Sequence, residues 1–214
     1  MKNNFYILFT FFIFVLILYA LKVEAIMPLT GKVIVIDAGH GAEDPGTSYG
    51  NIYEKDINLK IALYLEKELG SMGANVILTR NGDYDLSKPN ANFRKKSDFD
   101  NRIKLINDSN ANLYISIHLN YLSDSSYYGP QVFYQKDDKL LAESVQTSMN
   151  KLLKGDRSVK KIPNDTYMYK KLNVSGLLIE CGFLSNKSER ELLQTDKYQQ
   201  LVAKSIVEGI INYF

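Results

Sequence analysis

The longest apolar run of the chain lies at its N-terminus. Residues 5–21 carry no charged side chain, and Lys2 and Lys22 bracket the run. At about 1.5 Å per residue, a helix of this length nearly crosses a hydrocarbon core of about 30 Å. The pattern predicts an exported chain in which residues 1–25 form a signal or membrane-anchor segment and residues 26–214 form one domain. It leaves open whether the segment is removed or retained.

From residue 31 onward, short apolar runs alternate with stretches whose apolar residues recur at helical spacing. Residues 32–37 form a nearly continuous apolar strand pattern, and residues 54–72 place Ile57, Ile61 and Leu65 on one helical face. Strands that alternate with helices predict an α/β fold, a three-layer sandwich with a mostly parallel sheet flanked by helices. The other predicted strands are 75–79, 112–117, 131–134 and 176–181, and the other predicted helices are 98–106, 139–153 and 197–213.

Composition narrows the chemistry that this fold can carry. The 214 residues include 26 basic and 24 acidic side chains, so the net charge of +2 gives no electrostatic reason to expect nucleic acid as a partner. The single cysteine, Cys181, excludes an internal disulfide and a cysteine-based zinc finger. Only two histidines are present, so any metal site built on imidazole must use His40, His118 or both.

Three polar residues fall close to the predicted carboxyl ends of strands, where open α/β sheets bind ligands. His40 follows the first strand, His118 ends the third, and Glu180 lies at the end of the last; Glu54 begins the first helix. Two imidazoles and a carboxylate with one open position are the ligand set of a catalytic zinc site, and a further carboxylate can act as general base. Each residue also has a purely structural interpretation: the histidines could be capped, Glu54 could favour the start of its helix, and Glu180 could be a surface carboxylate.

Six short segments between residue 31 and the C-terminus carry the polar residues described above or lie close to them. They are VIDAGHG at 35–41, DPG at 44–46, EKD at 54–56, NRIKLIN at 101–107, SIHLN at 116–120 and IECGFLSN at 179–186. In this order, the segments resemble the zinc-dependent N-acetylmuramoyl-L-alanine amidases of the amidase 3 family. Ala38 departs from the proline common in that family, and Ala42 departs from a common second glycine.

The resemblance implies a fold, a cofactor and a reaction. It implies a sheet of about six strands and one Zn²⁺ per chain bound by His40, Glu54 and His118, with Glu180 as the catalytic glutamate. The implied reaction is hydrolysis of the amide that joins the muramic acid lactyl group to L-alanine of peptidoglycan. Within the family, the chain is most similar to the germination-specific spore-cortex amidases, which implies stem-peptide removal as a step towards muramic-δ-lactam.

The expected setting follows from the same resemblance and from the N-terminal segment. We expect peptidoglycan as substrate, extracytoplasmic action at the spore cortex in a membrane-anchored or secreted form, and contact with the membrane through the N-terminal segment. A lytic enzyme without a targeting module also suggests a protein regulator or activator. Two alternatives remain open: a non-catalytic domain that binds wall or a partner, and another zinc hydrolase of peptidoglycan, such as an endopeptidase or a deacetylase.

Four further residues carry paired expectations. Asn120 either contacts substrate or forms a loop turn, and Asp37 either orients His40 or caps the loop backbone. Arg80 and Arg102 either contact a substrate carboxylate or act as structural ion partners. Strand alternation predicts that Cys181 is a buried apolar residue on the sheet face opposite Glu180.

Overall fold

The fold is organised around a six-stranded sheet in the order β4-β1-β5-β8-β6-β7. In the computed structural model, which describes residues 2–214, the first four of these strands are parallel. Strand β6 runs antiparallel to β8, and β7 is parallel to β6. The expected mostly parallel, six-stranded sheet is therefore confirmed. The strands are β1 (Val33–Ala38), β4 (Asn75–Leu78), β5 (Leu113–Asn120), β6 (Gln131–Tyr134), β7 (Lys160–Lys161) and β8 (Gly176–Phe183), with a separate hairpin of β2 (Ser48–Tyr49) and β3 (Ile52–Tyr53).

Helices cover both faces of the sheet and make the three layers. One apolar cluster joins α2, α4 and α6 to one face through residues such as Ile61, Val145 and Ile206. A smaller cluster, which includes Ile103 of α3 and Tyr169, covers the other face. The helices are α1 (Lys2–Ile26), α2 (Glu54–Ser71), α3 (Arg94–Asp108), α4 (Lys139–Leu153), α5 (Lys187–Leu193) and α6 (Asp196–Tyr213), with a 3₁₀ helix at Tyr169–Lys171.

Alternation along the central strands sorts the polar residues onto a single face. Ile115, Ile117, Ile179 and their neighbours enter the larger cluster, because side chains point alternately to the two faces of a strand. His118 and Glu180 therefore project from the face that α3 covers, and they are paired in the register of β5 and β8.

The strands that carry these two residues are longer than the sequence predicts. Strand β5 continues to Asn120 and β8 to Phe183, so His118 and Glu180 lie within strands, and the expected strand ends are wrong. A register shift between His118 and Asn120 allows the pairing to resume at Asn120 and Phe183. Helix α3 begins at Arg94, four residues before the expected start, and the sequence analysis did not predict α5, β7 or the β2–β3 hairpin.

Helix α1 spans the apolar N-terminal run. Its described side chains, residues 6–19 and 22, are exposed, whereas Met1 and the side chains of residues 2–5, 20–21 and 23–26 lie outside the described part. Within the described residues, no helix has the length and apolarity needed to cross a membrane. The division into a segment of residues 1–25 and a domain of residues 26–214 stays a prediction.

Candidate metal centre

The three predicted ligands meet in one cluster. His40 Nε2 lies 3.2 Å from Glu54 Oε1, and His118 Nδ1 lies 3.0 Å from the same oxygen. One ligand atom from each residue falls within 4.8 Å of the others, so the three side chains are close enough to share an ion. The predicted convergence of side chains that are far apart along the chain is confirmed.

Glu54 is the first residue of α2 and lies beneath the loop that carries His40. Hydrogen bonds from several segments fix its carboxylate. Its Oε1 accepts hydrogen bonds from the Leu119 backbone N–H at 3.0 Å and from Asn58 Nδ2 at 3.2 Å. Its Oε2 accepts one from the Thr47 backbone N–H at 2.8 Å. Burial raises the pKa of Glu54, but the bonds from His118 and His40 outweigh burial and hold this pKa far below its usual range. The side chain is thus an ionised and oriented carboxylate.

His40 is held between two carboxylates. Its Nδ1 lies 3.0 Å from Asp44 Oδ2, while its Nε2 faces Glu54. Burial lowers the pKa of His40, but the hydrogen bonds to Asp44 and Glu54 overcome that effect and raise it to about 9. A carboxylate on the far nitrogen of a histidine ligand fixes its ring orientation. Asp44 is a positioning residue that the sequence analysis missed, although it stands in the DPG segment.

Two glycines make room for the cluster. A Cβ on Gly39 would lie 2.3 Å from His118 Cε1, and a Cβ on Gly46 would lie 2.5 Å from Glu54 Oε2. Gly46 also has a φ of +67°, which favours glycine. The loop therefore approaches the imidazole and carboxylate groups more closely than any residue with a side chain allows.

Glu180 supplies a second carboxyl group beside His118. Its Oε2 is buried, and within the described residues it has no hydrogen-bond partner. Burial raises the pKa of Glu180 to about 7, against the lowering effect of His118. An unpartnered buried carboxyl oxygen beside two imidazoles and a carboxylate fits a divalent cation and a water as the missing partners.

A cavity of about 280 Å³ opens onto this cluster. His40, His118 and Glu180 form one side, and α3 with the segment before the 3₁₀ helix forms the other. A substrate in this cavity would lie against His40, His118 and Glu180. The lining residues are Asp37, Gly39, His40, Asp44, Asp98, Phe99, Arg102, His118, Thr166, Tyr167, Met168, Tyr169, Leu178 and Glu180.

Arg80 and Arg102, which are both buried, hold the His40 loop. Arg102 donates from Nη2 to the His40 carbonyl at 2.7 Å, and Arg80 donates from Nη2 to the Gly39 carbonyl at 2.9 Å. Arg102 is the expected structural ion partner, since it pairs with Asp37 and Asp98. Arg80 forms no ion pair within the described residues and bonds to carbonyl oxygens instead. Both alternatives for Asp37 are wrong: its carboxylate pairs with Arg102 at 2.7 Å and accepts from Ser116 Oγ at 2.7 Å.

The other expectations have separate outcomes. Asn120 is the last residue of strand β5 and not a turn residue; its Oδ1 accepts a hydrogen bond from the Tyr121 backbone N–H at 2.8 Å. Its substrate contact stays a prediction. Cys181 is fully buried in the cluster on the face opposite Glu180, as expected. The sequence analysis also missed Asn58, which lies one helical turn after Glu54; a buried amide in an apolar stripe was the available signal.

The fold is an α/β sandwich whose His40, Glu54 and His118 side chains are close enough to hold a metal ion, and the comparisons with known proteins give the family. A family model described as N-acetylmuramoyl-L-alanine amidase, amidase 3, matches residues 34–212. The chain therefore belongs to the amidase 3 family of N-acetylmuramoyl-L-alanine amidases.

Individual relatives agree with the family. The chain is 40% identical over 194 residues to the germination-specific N-acetylmuramoyl-L-alanine amidase of Bacillus subtilis, covering 88% of this chain and 82% of that protein. Among solved structures, the CwlD amidase from Clostridioides difficile in complex with the GerS lipoprotein matches with a TM-score of 0.80 and 42% identity, covering 86% of this chain and 98% of that one. The catalytic domain of CwlV from Bacillus (Paenibacillus) polymyxa matches with a TM-score of 0.74 and 30% identity, over 85% and 97% of the two chains.

Proposed function

We propose that the chain is a zinc-dependent amidase that cleaves the bond between the muramic acid lactyl group and L-alanine of peptidoglycan. His40, Glu54 and His118 would hold one Zn²⁺. The observation that carries this proposal is that Glu54 Oε1 lies within 3.2 Å of a ring nitrogen of both histidines. When bound, zinc supplies polarisation of the amide carbonyl and activation of a water.

Glu180 is the residue that we propose to move the proton. Its carboxyl group lines the cavity beside His118 and has an unpartnered oxygen. A group with a pKa near 7 can take a proton from water and return it to the departing amine of L-alanine at neutral pH. Asp44 and Asn58 act through the ligands, because they orient His40 and Glu54.

The biological setting is part of the proposal. The similarity to a germination-specific amidase supports action on spore-cortex peptidoglycan outside the cytoplasmic membrane. The similarity to an amidase that was solved in complex with a lipoprotein supports a protein partner as regulator. The apolar N-terminal run supports export, with residues 1–25 as a signal or an anchor.

The test measures metal content and products on cortex and vegetative peptidoglycan. We expect release of intact stem peptides, loss of activity after chelation, and recovery with added zinc. Glu180→Gln is expected to retain zinc and lose turnover, whereas Glu191→Gln, an exposed control on α5, should behave as the parent protein. Normal cleavage by Glu180→Gln would show that another residue is the base.

The product also decides between the remaining alternatives. Cleaved peptides would indicate an endopeptidase, and released acetate a deacetylase. Binding to peptidoglycan without any product, even with added zinc, would indicate a non-catalytic domain. Full activity after exhaustive chelation would contradict the proposed zinc requirement.

A further inference from the structure

The metal-centre cavity has an aromatic wall on the side away from the candidate ligands. Phe99 of α3 and Tyr167, two residues before the 3₁₀ helix, both line this cavity. Their ring centroids lie 6.3 Å apart, a spacing at which aromatic rings attract each other. Met168 and Leu178 add two apolar side chains to the same lining. The cavity that contains the candidate catalytic groups therefore also has an apolar surface that the proposed chemistry does not use.

Contacts outside the cavity fix the position of Tyr167. Its hydroxyl donates to Asp100 Oδ1 at 2.6 Å, and Lys171 Nζ lies 3.8 Å from the centroid of its ring. Lys171 also lies 3.5 Å from Asp100, so the three side chains form one network that joins the segment before the 3₁₀ helix to α3. A side chain that is already held in this way loses little freedom when a ligand packs against it.

The volume of the cavity limits what it can hold. At about 280 Å³, it lies just below the range of about 300–1,000 Å³ that is usual for small-molecule pockets. A single sugar-sized group fits such a space, whereas a glycan strand or a whole stem peptide does not. The cavity therefore receives only the groups next to the bond that is cleaved.

The charge of the lining favours one side of that bond. The lining includes Asp37, Asp44, Asp98 and Glu180, and its arginine, Arg102, already pairs with Asp37 at 2.7 Å and with Asp98 at 2.9 Å. A stem peptide has carboxylates a few bonds from its L-alanine, so it would bring further negative charge into this lining, which is unfavourable without a free cation. The muramic acid side of the bond is uncharged, and it is the side that the lining accepts.

The lysines next to the two rings already have carboxylate partners. Lys95 Nζ lies 3.3 Å from Asp44, and Lys96 Nζ lies 2.6 Å from Asp100, which also pairs with Lys171. A carboxylate of the stem peptide would have to compete with these partners. The edge of the aromatic wall therefore gives no reason to reverse the orientation that the lining favours.

We propose that Phe99 and Tyr167 form a subsite for the N-acetylmuramic acid unit, on the acyl side of the bond that is cleaved. This inference rests on the proposed function, because that sugar bears the lactyl group. The C–H faces of a pyranose ring and the methyl group of its acetamido substituent can both pack on aromatic rings. The subsite places the sugar against Tyr167 and directs the stem peptide out of the cavity.

The experiment uses the zinc-loaded full chain and two substrates with the same stem peptide, an N-acetylmuramoyl peptide and a lactoyl peptide that lacks the sugar. In Tyr167→Ala, KM for the muramoyl peptide is expected to rise about tenfold with kcat unchanged, and KM for the lactoyl peptide to stay constant. Tyr167→Phe keeps the ring and should raise the first KM by less than about threefold. The matched control is Tyr213→Ala, an exposed tyrosine of α6 on the opposite face of the sheet, and it should change neither constant.

A competitor that carries the sugar without the stem peptide provides an independent readout. N-acetylmuramoyl methylamide should inhibit the parent protein competitively, and its inhibition constant should rise about tenfold in Tyr167→Ala and stay unchanged in Tyr213→Ala. If only the muramoyl peptide is cleaved, the inhibition constant of the lactoyl peptide replaces its KM. If Tyr167→Ala does not fold or does not bind zinc, Phe99→Leu in the other half of the wall carries the same expectation.

Other outcomes overturn the inference in distinguishable ways. If the parent protein cleaves both peptides with equal KM, the sugar subsite is wrong while the amidase activity stands. An equal rise of both KM values in Tyr167→Ala would assign the wall to the stem peptide, which the two substrates share. Unchanged constants in that variant would show that the wall does not contact the substrate. If neither peptide is cleaved, the proposed function fails, and the subsite fails with it.

Discussion

Glu180 places an ionisable group where water is scarce, and its replacement by glutamine tests that environment directly. Its Oε2 is buried without a partner, and burial raises the pKa from 4.5 to about 7 in the metal-free protein. Glutamine keeps the size and shape of the side chain but cannot ionise. We expect the free energy of unfolding of the metal-free Glu180→Gln protein, relative to the parent, to be higher at alkaline pH than at acidic pH.

The sign follows from the two states of the chain. The Glu180 carboxyl group holds its proton more tightly in the native state than in the unfolded state. Its favourable contribution to the free energy of unfolding is therefore fully present below pH 4.5 and is lost as the pH rises towards 7. Each pKa unit corresponds to 1.36 kcal/mol, which gives about 3 kcal/mol over this range. The variant lacks this loss, so its stability relative to the parent should rise by about 3 kcal/mol between about pH 4.5 and pH 8.

Urea unfolding of the chelator-treated protein, followed by circular dichroism across this pH range, measures the difference. The buried amide adds a constant that does not vary with pH, so the slope against pH is the quantity to compare. Glu191→Gln serves as the exposed control and should give no slope. A flat difference for Glu180→Gln, within about 0.5 kcal/mol, would refute the buried, unpaired carboxyl group. Added zinc should reduce the slope, because a nearby cation lowers the pKa of Glu180.

Two substitutions in the loop that carries His40 test its backbone conformation. In Gly39→Ala the new Cβ would lie 2.3 Å from His118 Cε1, so we expect the His118 ring to move and the zinc affinity to fall by about tenfold or more. Competition with a chromophoric chelator measures this affinity. An unchanged affinity would contradict the close approach of Gly39 to His118. Ala42 has a φ of +50°, so Ala42→Gly should raise the free energy of unfolding by about 1 kcal/mol in urea. A less stable Ala42→Gly protein would show that the loop is not strained there.

The convergence of the ligands was predictable because the sequence offers so few candidates. Only His40 and His118 can supply imidazole, and apolar strand patterns precede both. Parallel strands bring their carboxyl ends to one edge, and alternation places His118 and Glu180 on one face. These are properties of single segments and of their order, which a sequence shows directly.

The parts that sequence reasoning missed depend on contacts between segments. Strand β7 consists of Lys160 and Lys161, two polar residues without an apolar pattern, and it exists because β6 offers a free edge. Asp37 stands three residues before His40, yet it pairs with Arg102 of helix α3. The extension of β5 beyond His118 depends on an irregularity in its pairing with β8. Local propensity contains none of this information.

The arginine contacts explain how the cluster can exist before any metal binds. His40 has a φ of +63°, a strained conformation that the chain maintains only where other contacts fix it. Arg80 and Arg102 bind the carbonyls of Ala38, Gly39 and His40, and Asp37 balances the charge of Arg102. These contacts lie outside the ligand set, so folding alone places the His40 ring against Glu54. A metal then has to displace a proton from an ordered imidazole, because the pKa of His40 is about 9, and it does not have to order the loop.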